Sequence, residues 1–95
     1  MTAIDETGET QAQDRASIFA MVRDHLTAEL EVPADEIRDE TRFREDLDAD
    51  SLDLYELVME LEDTYRISVS EEEAARIETV GQAVDFVAGR LEAAT

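Results

Sequence analysis

The sequence predicts an all-α fold: a small bundle of three main helices plus one short helix, with a long loop between the first two. Three observations predict it. Large apolar residues recur at spacings of three and four in three separate stretches, as one face of an amphipathic helix requires. Two capping boxes, Ser70-Glu71-Glu72-Glu73 and Thr79-Val80-Gly81-Gln82, mark helix starts. No stretch alternates apolar and polar residues strongly enough for a sheet. At 95 residues and 43% apolar content the chain has room for one small core, so function must come from one compact site or one surface.

Residues 1–13, MTAIDETGETQAQ, are polar and aperiodic and read as a disordered leader. From Asp14, the stripe Ile18, Val22, Leu26 and Leu30, with Phe19 beside it, predicts a first helix over about 14–31. The Val32-Pro33 step is expected to end it, because the residue before proline avoids the α region. Residues 33–50 lack a period and carry Ile37, Phe43 and Leu47 as their large apolar groups; they read as a long ordered loop with a helical turn near 34–37, pinned to the core by those side chains. A loop of that length is more often functional than passive. The second helix, Ser51 to about Tyr65, turns Leu54, Leu57, Val58, Leu61 and Tyr65 to the core. Ile67 and Val69 add core contacts before a short helix at about 71–77. A last helix at about 80–92 carries Val80, Ala83, Val84, Val87 and Leu91 on one side. The folded domain is thus expected over 14–92, with 93–95 as a tail.

Composition excludes several functions. The formal net charge is −18, from 26 acids against 8 bases, all of them arginine. Clustered cations to displace counterions from phosphates are missing, which disfavours nucleic acid, and anionic membrane surfaces are disfavoured likewise. Partners are expected to present basic patches. Without lysine or cysteine there is no Schiff-base or thiol nucleophile, thiolate metal site or disulfide. No apolar run suits a membrane span and no signal-peptide pattern is present, so a cytoplasmic protein is the expectation.

The chemistry concentrates in FREDLDADSLDLYELVMELED, residues 43–63. A calcium loop starting at Asp46 would use Asp48 and Asp50 as its third and fifth positions, but Ser51 replaces the turn glycine, and Leu57 stands where a bidentate glutamate belongs, with Glu56 one residue early. Looser association of a divalent cation with so many carboxylates stays open, and no residue is assigned to a metal. Asp50 reads as the cap of the second helix, with Asp53 in its first turn. On the face opposite the core, Leu52, Tyr55 and Met59 fall together, edged by Glu56, Glu62 and Asp63. A narrow apolar stripe bordered by carboxylates suits docking of a basic partner, although scattered exposed apolar residues are ordinary. Ser51 lies at one end of this stripe. A phosphate on its hydroxyl would be favoured by the free N–H groups of the helix start and opposed by Asp50 and Asp53. No base lies near it in sequence and carboxylates make no oxyanion hole, which argues against a hydrolytic nucleophile.

Asp50-Ser51-Leu52, the acidic helix after it, the capped short helix and Thr79-Val80 before the last helix together resemble the acyl carrier proteins, over roughly residues 15–90. The resemblance implies a four-helix carrier domain, a non-catalytic monomer whose Ser51, flanked by Asp50 and Leu52, receives 4'-phosphopantetheine from coenzyme A through a phosphopantetheinyl transferase. Acyl chains would ride as thioesters on the arm's thiol, which fits the missing cysteine. It further implies partner recognition through Leu52, Tyr55, Glu56, Met59, Glu62 and Asp63 by acyltransferase, ketosynthase and other chain-processing enzymes. Phe43, Leu57, Val58, Leu61, Val69, Ala74, Ile77 and Ala83 match positions lining the family's acyl pocket; they are also an ordinary bundle core. Fatty-acid synthesis is the expected pathway, with a polyketide or other specialised carrier as the alternative. An unmodified acidic module that binds a basic protein is the rival of another class. Two residues depart from the pattern. Asp48 stands where the family usually has glycine, and Tyr55 is bulkier than its usual counterpart.

Overall fold

A computed structural model describes residues 15–94. The expected leader, the predicted helix start at Asp14 and the last tail residue lie outside the described residues. Helix α1 spans Arg15–Leu30, α2 Ser51–Tyr65, α3 Glu71–Ala75 and α4 Val80–Ala94. The fold is all-α, as the periodicity predicts; an isolated antiparallel bridge joins Arg42 to Thr79.

Helix α1 buries Ile18, Val22 and Leu26, the predicted stripe, and packs chiefly against α4. It stops one residue before its expected end. Glu31 takes the left-handed conformation (φ 58°) while its N–H still donates to the Thr27 carbonyl at 3.0 Å, so the chain has left the helix before the pre-proline restriction at Val32 acts.

The loop from 31 to 50 contains one 3-10 turn, Ala34–Glu36. Ile37 and Phe43 are fully packed, as expected, and Leu47 partly so. Ala49 and Thr41 are buried as well; the Thr41 hydroxyl donates to the Glu36 carbonyl (3.2 Å) and accepts from the Arg38 N–H (2.8 Å), which meets the requirement that a buried hydroxyl be bonded. The loop is stitched to the start of α4. Gly81 N–H donates to the Asp39 carbonyl (2.8 Å), Val80 N–H to Thr41 (2.9 Å), and Phe43 N–H to Glu78 (3.0 Å). Beside these, the Arg15 guanidinium reaches both Asp39 (3.1 Å) and Asp85 (2.6 Å), joining α1, loop and α4.

All three predicted caps form. Asp50 accepts from Asp53 N–H (3.0 Å) and Asp53 returns the bond to Asp50 N–H (3.0 Å); Ser70 and Glu73 do the same for α3. The Gln82 side chain accepts from the Glu78 and Thr79 N–H groups while Thr79 accepts from Gln82 N–H. Helix α3 ends at Ala75, earlier than the expected 77, because Ile77 N–H reaches back three residues to Ala74 and the turn closes. Helix α4 runs through residues 93 and 94, which were expected to form a tail; Glu92, Ala93 and Ala94 are strong helix formers, and nothing in their sequence stops the helix.

Candidate functional site

Ser51 is the first residue of α2 and is exposed. The turn that delivers it is held by Phe43, whose carbonyl accepts from Ala49 N–H (2.9 Å), and by Arg44, whose carbonyl accepts from Asp48 N–H (3.1 Å). Asp48 itself is left-handed, with φ 59°. Aspartate tolerates that region better than most residues, so the turn forms without the glycine that the resemblance would place there. Closing this turn brings the Arg44 guanidinium to 3.2 Å from Ser51 Oγ, where it donates a hydrogen bond. The Asp53 backbone N–H, above all, holds the Asp50 carboxyl below its ordinary range, against desolvation; the Leu52 N–H and the charge on Arg44 act in the same direction as the Asp53 N–H. Asp50 is therefore an ionised cap at neutral pH, and the Asp-x-Asp-x-Asp run is committed to turn and cap: Asp46 accepts from Arg42 N–H (2.8 Å), Asp48 makes the turn, and Asp50 starts the helix.

Behind Ser51 lies a cavity of about 440 Å³, mostly apolar, within the ~300–1,000 Å³ typical of small-molecule sites. Its lining begins at exposed Ser51, Arg44, Tyr55 and Met59 and continues to buried Phe43, Leu57, Leu61 and Ala83. Val58, Val69, Ala74 and Ile77 complete the set that the resemblance implies around an acyl pocket, and all eight residues line one space. Helix α3 forms one wall. It is held by Arg90, which donates to Glu73 and to the Ser68 carbonyl, both at 2.5 Å, and stacks over the Phe86 ring at 4.6 Å.

On the outer face of α2, Leu52 (62% exposed), Tyr55 (63%) and Met59 (46%) form the expected stripe, with Glu56 and Asp63 exposed beside it. Glu62 differs from these. Half-buried, it accepts from Val69 N–H at 2.9 Å and lines the cavity, so it ties α2 to the segment before α3. Tyr55 and Met59 belong to both the stripe and the cavity mouth, a double role that helical spacing alone does not reveal. Sequence reasoning also missed Arg44 as a neighbour of Ser51. The available signal was that it is the one base in an acidic stretch; its approach depends on the turn at Asp48.

A capped helix that presents an exposed serine over an apolar cavity accords with the comparisons. The family model described as the phosphopantetheine attachment site matches residues 21–87. The chain belongs to the acyl carrier protein family. It is 46% identical over 74 residues to an acyl carrier protein of Rubrobacter xylanophilus, covering 78% of this chain and 91% of that protein. The fold matches the acyl carrier protein of Enterococcus faecalis with a TM-score of 0.72 at 36% identity, over 80% of this chain and 96% of that one. Acyl carrier proteins are non-catalytic; they bear a covalent 4'-phosphopantetheine and are served by phosphopantetheinyl transferases and acyl-processing enzymes. As an acyl carrier protein, this chain has no need of a base at Ser51. Among its described residues, no helix is long and apolar enough to cross a membrane.

Proposed function

We propose that Ser51 bears the 4'-phosphopantetheine and that the protein carries the growing chains of fatty-acid synthesis in the cytoplasm, as thioesters on the arm's thiol. The observation that carries this reading is the continuity of the cavity from the exposed serine hydroxyl to the buried side chains of Phe43, Leu57, Leu61 and Ala83. A chain tethered at Ser51 needs such an entrance, and burying each methylene gains about 0.8 kcal/mol. In loading, a Ser51 Oγ–phosphorus bond forms, the pyrophosphate bond of coenzyme A breaks, adenosine 3',5'-bisphosphate leaves and the hydroxyl proton passes to the transferase. Leu52, Tyr55 and Met59, with Glu56, Asp63 and the rim of Glu62, form the face that docks basic patches of the transferase, an acyltransferase or a ketosynthase, complementary charge supplying rate and selectivity.

The test is the intact mass after incubation with coenzyme A and a broad-specificity transferase. The wild type gains one phosphopantetheine and Ser51→Ala gains none; an increment on the variant, or none on either beside a control carrier that loads, overturns the assignment of Ser51. Reconstitution with fatty-acid elongation enzymes then decides the pathway. A loaded protein that supports no elongation belongs to a polyketide or other specialised system.

A further inference from the structure

We propose that Arg44 is a positioning residue for the prosthetic arm: its guanidinium binds the phosphodiester formed on Ser51 and holds the first part of the arm over the cavity mouth. The inference rests on Ser51 being the attachment residue. The geometry supplies the contact. Arg44 donates to Ser51 Oγ from 3.2 Å, and a phosphorus atom bonded to that oxygen brings its non-bridging oxygens within reach of the same guanidinium. Arginine presents several donors in a planar fork suited to phosphate.

The side chain's base is fixed. Phe43, the preceding residue, is 1% exposed, its N–H donates to Glu78, and its carbonyl accepts from Ala49; the Arg44 carbonyl accepts from Asp48. Four of the other seven arginines are directed to carboxylates: Arg15 to Asp39 and Asp85, Arg23 to Asp24, Arg42 to Asp46, Arg90 to Glu73. Arg44 reaches a hydroxyl. The surroundings sharpen the need for it, because Asp50 and Asp53 close the cap next to Ser51 and repel an attached anion. The residues at hand fit the group: a cation at the esterified oxygen, then an apolar cavity that Arg44 itself lines. With the phosphate held at Arg44, the arm starts toward the cavity. With the contact broken, the same arm would swing freely from the helix start.

The experiment uses full-length holo-protein, its loading checked by mass, as wild type, Arg44→Gln and Arg44→Lys. Nuclear magnetic resonance reads the phosphorus shift and relaxation and the Arg44 Nε–H signal. Loading should move the Arg44 Nε–H signal, and the wild-type phosphorus should relax with the folded domain. An exposed pair of this kind favours the bound arm by about two- to five-fold. Arg44→Gln should erase that preference and shift the phosphorus toward free phosphopantetheine, Arg44→Lys should fall between, and about 0.5 M salt should weaken the wild-type signature. Identical phosphorus shift and relaxation in wild type and a folded Arg44→Gln protein overturns the proposal. Should Arg44→Gln fail to fold, a wild-type phosphorus signal unmoved by salt and an Arg44 Nε–H signal unmoved by loading overturn it instead. Absence of any mass increment at Ser51 is a different failure, that of the attachment itself.

Discussion

Loading the arm with an octanoyl chain should stabilise the protein relative to an acetyl chain, and Ala74→Leu should remove most of that gain. The two cargoes differ by about six methylenes, whose complete transfer from water at about 0.8 kcal/mol each would contribute at most about 5 kcal/mol. Ordering the arm and spreading the walls of a cavity of about 440 Å³ offset part of this. If about 2 kcal/mol survives, the melting temperature rises by roughly 10 °C, since a domain of 60–100 residues shifts about 4–8 °C per kcal/mol. Ala74 is the place to intervene. It sits half-buried on α3 with its side chain lining the cavity, and its backbone N–H bond to the Ser70 carbonyl (2.9 Å) is untouched by the substitution. Leucine there occupies space the chain would take and suits a helix. Calorimetry of acetyl and octanoyl forms, each checked by mass, measures the gap in both backgrounds. Equal melting temperatures in the wild type would refute the cavity as the resting place of the chain, and a gap undiminished in Ala74→Leu would place the chain elsewhere.

Self-repulsion at −18 should make the melting temperature rise with sodium chloride and further with magnesium; a flat response from low to moderate ionic strength contradicts this. Because Asp50 has a depressed carboxyl pKa, its cap contributes stability above the ordinary 3.8 and loses it as pH falls through the folded value. The stability difference between wild type and Asp50→Asn, which keeps an acceptor but cannot titrate there, should therefore hold from pH 7 down to about 3.8 and shrink below it, by thermal melts. The α4 glycines should respond with opposite signs in urea unfolding. Gly81→Ala places a Cβ 2.9 Å from the Asp39 carbonyl oxygen and should cost about 1–3 kcal/mol, whereas Gly89→Ala meets nothing within 4 Å and should gain about 0.5–1 kcal/mol.

What the sequence made legible was local. Helix α2 was bounded correctly at both ends because Asp50 and Asp53 announce the cap and apolar spacing runs to Tyr65; the reciprocal pairs at Ser70 and Thr79 announced α3 and α4 in the same way. The exposed stripe of Leu52, Tyr55 and Met59 followed from the 100° rotation per residue. The remainder depends on contacts between distant segments. Burial of Ala49 and Thr41, the close approach of Gly81 to Asp39, and the Arg15 pairs with Asp39 and Asp85 are settled when the long loop lies across the start of α4, and no periodicity encodes that event. Arg44 belongs with them: it lies seven positions before Ser51, and the turn with left-handed Asp48 brings the two together.

Helix α2 has few positions left unassigned. Its first turn is spent on a cap, Leu57 and Leu61 wall the cavity, Leu52, Tyr55 and Met59 form the outer stripe, and Glu62 is bonded to Val69 N–H. Glu56, Glu60 and Asp63 are exposed and are not among the residues that line the cavity behind Ser51. Those three carboxylates act as a dial that can be turned without moving the fold or reshaping the cavity. Under the proposed function, partner choice could change there by charge alone and leave the cavity unaltered, whereas a change in cargo size would alter side chains that also hold the bundle together.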